Sequence, residues 1–184
     1  INEEFYKGSV PPEMTDQLLA AGWRHFGEHY YRYNLGFHEQ DIRAVYALRV
    51  NLAKFSFSKN QRRVLRKNED LSYVIRPAEI TPEKIELFER HKTRFTFGVP
   101  DSLYEFMSFA PDTCPCEAKE ISVFNGDKLL ATAFFDVGAE SISSLFAMFE
   151  PTETKRSLGI YTMLLEIKFA VETGRKFYYH GYAY

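Results

Sequence analysis

The chain has 184 residues, 45% of them hydrophobic and 26% charged, enough for one well-packed domain or a domain with a small appendage. No apolar run approaches the roughly 18 residues of a membrane span, no signal-peptide pattern opens the chain, and the cytoplasm is the default location. The net charge of −2 conceals an asymmetry, because Lys54, Lys59, Arg62, Arg63, Arg66 and Lys67 follow one another with no acid between them. Such a local positive field recruits phosphate even on an acidic chain.

In chain order, "PPEMTDQLLAAGW" predicts a short helix, with Met14, Leu18, Leu19 and Trp23 near helical spacing and Gly22 or Gly27 to stop it. "EHYYRYNL" and "RAVYALRVNLAKF" read as two strands. Ser58 and Gln61 form a capping box ahead of "RRVLRK", a helix whose apolar stripe is narrow and whose remaining surface is cationic. Thr81 is the N-cap of the next helix and Pro82 its first residue, with Ile85, Phe88 and Phe95 as its buried side. Asp101 is expected to cap a further short helix, "SLYEFMSF".

The second half changes rhythm. "EISVFNGDKLLATAFFDVGAESISSLFAMFEP" predicts three strands, separated by hairpin turns at Asn-Gly-Asp and Gly-Ala-Glu. A helix from about Ser157 to Thr173, closed by Gly174, leads to a last strand, "KFYYHGYAY". The β-β-β-α-β order implies a mixed sheet whose last strand is reached by a helical crossover. The chain opens without Met and stops inside this strand-like run, so both ends read as trimmed. Cys114 and Cys116, one residue apart, are read as plain loop thiols; with scattered histidines, no metal is expected.

The β-β-β-α-β run resembles the core of Gcn5-related N-acyltransferases, which place R/Q-x-x-G-x-G/A at this helix start. Arg156 and Gly159 match that pattern, whereas Tyr161 stands where a small residue lets a coenzyme A pyrophosphate approach. The arginyl-/leucyl-tRNA–protein transferases fit more closely. Asp136, Ser143-Ser144, Glu150-Pro151 and Ser157-Leu158-Gly159 resemble that family's ordered motif. "FSFSKNQRRVLRKNEDL", "AAGWRHFGEHYYRY" and "KFYYHGYAY" resemble three more of its segments. The cysteine cluster usual near the family's N-terminus is missing from "YRYNLGFHEQDIRAVYALRV", so no cofactor carries over.

The resemblance implies an α/β (α+β) fold: a mixed, largely antiparallel sheet flanked by helices, Gcn5-related N-acyltransferase-like. It implies an N-terminal region, 1–75, carrying a basic tRNA-binding helix, and an acyltransferase core, 76–184. The implied reaction moves an aminoacyl group, arginine or leucine, from charged tRNA to the N-terminal amine of acceptor proteins beginning with Asp or Glu. An activated ester needs no enzyme nucleophile, but it does need a neutral amine, oxyanion stabilisation and alignment.

On this reading Asp136 is the base or ammonium anchor, and His180 is the other candidate proton acceptor. Ser143 and Ser144 orient the ester or merely alternate across a strand. Arg156, Ser157, Gly159 and Tyr161 meet the aminoacyl end. Arg32, Tyr179, His180 and Tyr182 complete a pocket for the acceptor's first residue, with Arg32 or Arg156 supplying the cation an acidic residue needs. Lys59, Arg62, Arg63, Arg66 and Lys67 grip the acceptor arm of the tRNA. Acetyl-coenzyme A enters only under the alternative, an acyl-coenzyme A-dependent N-acyltransferase; a catalytically silent tRNA-binding homologue is the other alternative.

Overall fold

A computed structural model describes residues 1–38 and 41–183. Its elements are β1 (Asn2–Tyr6), α1 (Pro12–Ala20), β2 (Arg24–Phe26), β3 (His29–Tyr33), β4 (Leu35–His38), β5 (Asp41–Ala44), β6 (Tyr46–Asn51), α2 (Lys59–Lys67), β7 (Ser72–Pro77), α3 (Pro82–Lys92), β8 (Ala118–Asn125), β9 (Lys128–Val137), β10 (Ser141–Phe149), α4 (Leu158–Glu172) and β11 (Phe177–Ala183). The central sheet runs β6-β11-β10-β9-β8-β7, so strands from both sides of residue 75 build it. β1, β3 and β2 make a separate small sheet, and β4 and β5 a hairpin.

Gly126, at φ +58°, begins the two-residue turn that pairs Asn125 with Lys128 and sets the β8–β9 register. β9 is buried along nearly its whole length because both faces are covered. Phe135 packs with Leu165 and Ile121 on the α4 side, and Phe134 with Leu87, Phe88 and Met148 on the α3 side. Successive strand side chains point to opposite faces, which is how one strand serves two cores.

α4 is the expected crossover, and β10 and β11 pair in parallel. That pairing is short: Ser141–Ser143 lie against Phe177–Tyr179 and no farther, while register irregularities fall between Ser144 and Phe146 in β10 and between Tyr179 and Gly181 in β11. The two strands therefore part beside the start of α4.

Several local expectations are corrected. α3 buries Lys84, Leu87, Phe88 and His91, whereas Ile85 and Phe95 are 39% and 37% exposed. "SLYEFMSF" yields one 3-10 turn, Leu103–Glu105, capped by Ser102 rather than Asp101. "RAVYALRVNLAKF" divides at the buried Val45 into β5 and β6. β1 and β7 lie outside the expected strands.

Candidate active site

α4 begins on Ser157, which sits at φ 56°, ψ 47° and makes no side-chain cap. The amide groups of its first turn therefore form a site of partial positive charge without a capping oxygen. They open onto a cleft of about 570 Å³ walled by Phe149, Pro151, Leu158, Ile160 and Met163, with Arg94, Ser157, Gly159 and His180 also on its surface. Gly159 has a packing reason to be glycine: a Cβ there would come within 2.9 Å of the Phe149 ring. His180 reaches this cleft from β11, just past the point where β11 leaves β10. His180 is exposed at the surface, yet partial desolvation, and then the nearby Arg24 charge, hold its imidazole below the usual histidine range, so it is unprotonated at neutral pH.

Arg156 is engaged by two acids. Its guanidinium makes a two-pronged pair with Asp70 at 2.9 and 2.8 Å and a further contact with Glu153 at 3.2 Å. The Asn68 side-chain amide also donates to the Arg156 carbonyl at 3.0 Å. These bonds clamp the end of α2 to the entrance of α4. On α2, Gln61, Val64, Leu65 and Asn68 turn inward, while Lys59, Arg62, Arg63, Arg66 and Lys67 are all exposed. The spacing i, i+3, i+4, i+7, i+8 gathers the five cations into one stripe.

The other expected site residues are dispersed. Tyr161 is buried within the α4-side core. Arg32 pairs with Glu3 and lies over the Trp23 ring. Ser143 is buried, and Ser144 points toward Glu166 at 3.5 Å. Glu166 is fully buried and accepts a 2.6 Å hydrogen bond from the Tyr178 hydroxyl. Burial pushes its carboxyl up to about 8, so at neutral pH it is mostly the neutral acid. Tyr182 donates to the Gly22 carbonyl at 2.6 Å.

Asp136 lies 1% exposed beneath residues 106–115, not at an open strand end. Its Oδ2 accepts from His25 Nε2 at 2.9 Å, while His25 Nδ1 donates to the Gly27 carbonyl at 2.9 Å. Both ring nitrogens face acceptors, so His25 is an imidazolium. Burial alone would lower its pKa, but the Asp136 charge and hydrogen bond outweigh that and raise it. Arg24 adjoins this pair, 6% exposed, with its Nη1 donating to the Trp23 carbonyl at 3.0 Å. Its guanidinium stacks 5.2 Å from the Tyr179 ring centre and 5.7 Å from that of Tyr182. Among the described residues, Arg24 Nε and Nη2 are buried without hydrogen-bond partners, and Tyr30 Oη and Asp136 Oδ1 have no closer partner than the Cys116 thiol.

His25, Cys116 and Asp136 do present three ligand-type atoms within 4.8 Å of one another. Without a metal, the same atoms are tied to one another, His25 Nε2 bonding to Asp136 at 2.9 Å, and the neighbouring Arg24 guanidinium opposes a cation there.

Comparison with known proteins identifies the frame around these residues. Residues 2–63 match the family model described as arginine-tRNA-protein transferase, N terminus, and residues 83–184 match the model for its C terminus. The chain belongs to the arginine-tRNA-protein transferase family. An aspartate/glutamate leucyltransferase from Hahella chejuensis is 29% identical over 96% of this chain and 74% of its own length. One from Shewanella sp. (strain MR-4) is 31% identical over 95% and 72%. Among solved structures, L-PGS from Bacillus licheniformis superposes with a TM-score of 0.56 at 14% identity, over 97% of this chain and 52% of that one. FemX superposes with a TM-score of 0.55 at 13% identity, over 91% and 59%. The chain spans little more than half the length of these solved proteins, and the likeness to them is one of fold.

Within that family frame, the residues missed by the sequence reading are Arg24, His25, Arg94 and Glu166. Arg24 and His25 stand inside the quoted segment "AAGWRHFGEHYYRY", but which of its cations is buried depends on β11, more than 150 residues farther along. Glu166 carried a signal: an acid in the apolar run "YTMLLEIKFA" of α4 needs a buried partner.

Proposed function

We propose that this chain is an aminoacyl-tRNA–protein transferase that moves leucine from charged tRNA to the α-amine of proteins beginning with Asp or Glu. The observation that carries the reading is the Arg156 clamp, which ties the cationic stripe of α2 to the start of α4. A duplex acceptor arm held through its phosphates on α2 is thereby set in fixed relation to the α4 cleft. Leucine is favoured over arginine because Phe149, Pro151, Leu158, Ile160 and Met163 make an apolar wall, and the carboxylate of Glu153 is already engaged by Arg156.

In this reaction the acceptor's nitrogen lone pair attacks the ester carbonyl. A C–N bond forms, and the bond from that carbon to the ribose 3′-oxygen breaks. The first-turn amides of α4 stabilise the oxyanion. His180 takes the proton released by the amine and returns it to the departing 3′-oxygen. Asp136, buried against His25, serves as counter-charge to its two cationic neighbours and not as the base.

The test is transfer of label from leucyl-tRNA, and separately arginyl-tRNA, to a peptide beginning with Glu. Label from leucyl-tRNA is expected, falling about 10²–10⁴-fold in His180→Ala while tRNA affinity is kept. Transfer from arginyl-tRNA alone would overturn the choice of amino acid. An undiminished rate in His180→Ala would overturn its role.

A further inference from the structure

We propose that Arg24 reads the acidic side chain of the acceptor's first residue; this inference rests on the transferase reading and adds to it the residue that sets specificity. Three observations converge on it. First, Nη1 is committed to the Trp23 carbonyl, which fixes the guanidinium plane, while Nε and Nη2 are buried without partners. Those two N–H groups form one edge of the guanidinium fork, whose spacing matches the two oxygens of a carboxylate. A fork left empty in a buried place is costly.

Second, the charge around it is unbalanced. Arg24 and the doubly hydrogen-bonded His25 are both cationic, and Asp136 is the acid that adjoins them. Asp136 spends one oxygen on His25. A further carboxylate from outside brings the group to neutrality.

Third, the position suits a protein side chain better than a nucleic-acid phosphate. Tyr178 hydrogen-bonds to Glu166 on α4, whereas Tyr179, the next residue, lies under Arg24. Successive strand residues face opposite ways, so Arg24 is across the sheet from α4 and from α2, which packs on α4. The two sides meet where β10 and β11 separate, next to His180. An acceptor whose amine reaches His180 from the Arg24 side and a donor ester in the α4 cleft would meet at that gap. The Tyr179 and Tyr182 rings flank the guanidinium at 5.2 and 5.7 Å.

The experiment is calorimetric binding of two short peptides, alike but for Glu or Gln at the first position, to the wild-type chain and to Arg24→Gln and Arg24→Lys. Affinity for a tRNA is measured alongside. The wild type is expected to bind the Glu peptide at least ten-fold more tightly than the Gln peptide. Arg24→Gln is expected to erase that difference while keeping tRNA affinity. Arg24→Lys, which keeps the charge and loses the fork, should fall between them and guards against Arg24→Gln failing to fold. Equal binding of both peptides by the wild type overturns the inference. So does a Glu preference that survives in Arg24→Gln, or a loss confined to tRNA binding, which would make an RNA phosphate the occupant. An Arg24-dependent Glu preference in a chain that transfers no label from either charged tRNA would sustain the inference while removing the transferase reading.

Discussion

Two charged clusters are buried against the same central sheet, and they differ in how completely their hydrogen bonds are filled. Under α3, Glu120 accepts from Arg76 Nε at 2.8 Å, the Glu79 amide at 3.0 Å, the Ser122 hydroxyl at 3.0 Å and the Lys84 ammonium. Lys84 also donates to the Glu79 carbonyl at 2.5 Å. Where the small sheet meets β9, by contrast, Arg24 Nε and Nη2 have no hydrogen-bond acceptor among the described residues, and Tyr30 Oη and Asp136 Oδ1 have no closer partner than the Cys116 thiol. The first cluster is closed and the second is open. Burial makes both expensive, and the second leaves two adjacent donors of one guanidinium free for a ligand.

Breaking the closed cluster should have the largest effect. Glu120→Ala leaves Lys84 buried beside a lost counter-ion, and the expected cost is about 3–5 kcal/mol in chemical denaturation. A loss under 1 kcal/mol would mean that closure does not identify a structural cluster.

Glu166 sharpens the comparison, since it too is buried but has Tyr178 and Ser144 for company. Its pKa of about 8 in the folded chain lies above that of an unfolded carboxyl. Between those values the folded state holds one proton more than the unfolded state. Its contribution to stability is therefore full below the unfolded pKa and is lost as pH rises through about 8, with a slope of about 1.4 kcal/mol per pH unit. Glu166→Gln should flatten the profile between pH 5 and 8 by that amount. His25, raised by its carboxylate partner, contributes with the same sign at the upper end of the range, so the quantity to read is the difference between variant and wild type. An unchanged slope would mean that Glu166 is ionised when folded.

What could be read in the sequence was local. The Ser58–Gln61 capping box forms as expected, with bonds at 2.8 and 3.3 Å, and Thr81 caps α3 ahead of Pro82. The β8–β9 turn and the α4 crossover follow equally short signals. Strands with weak patterns escaped: β1 offers "NEEFY", mostly exposed, and β7 offers "SYVIRP", an edge strand ending in proline.

Partnerships across the chain were not legible. Asp136 was singled out from the family motif, but His25 lies 111 residues away, and its contact is created only when β2 packs on β9. Arg156 read as a free cation because Asp70, 86 residues earlier, is not a neighbour until α2 docks on α4. Arg32 and Arg24 are equivalent as letters. Packing against Tyr179 and Tyr182 makes one of them a buried, half-empty fork, while the other pairs with Glu3.

The most direct measurement reads stability and specificity on one variant, Arg24→Met. Replacing a buried cation whose fork is half empty should raise Tm by about 2–4 °C, equivalent to about 1 kcal/mol. In the same preparation the preference for Glu over Gln at the acceptor's first position should vanish. A fall in Tm, with the Glu preference intact, would make Arg24 a structural residue and the open cluster no site at all.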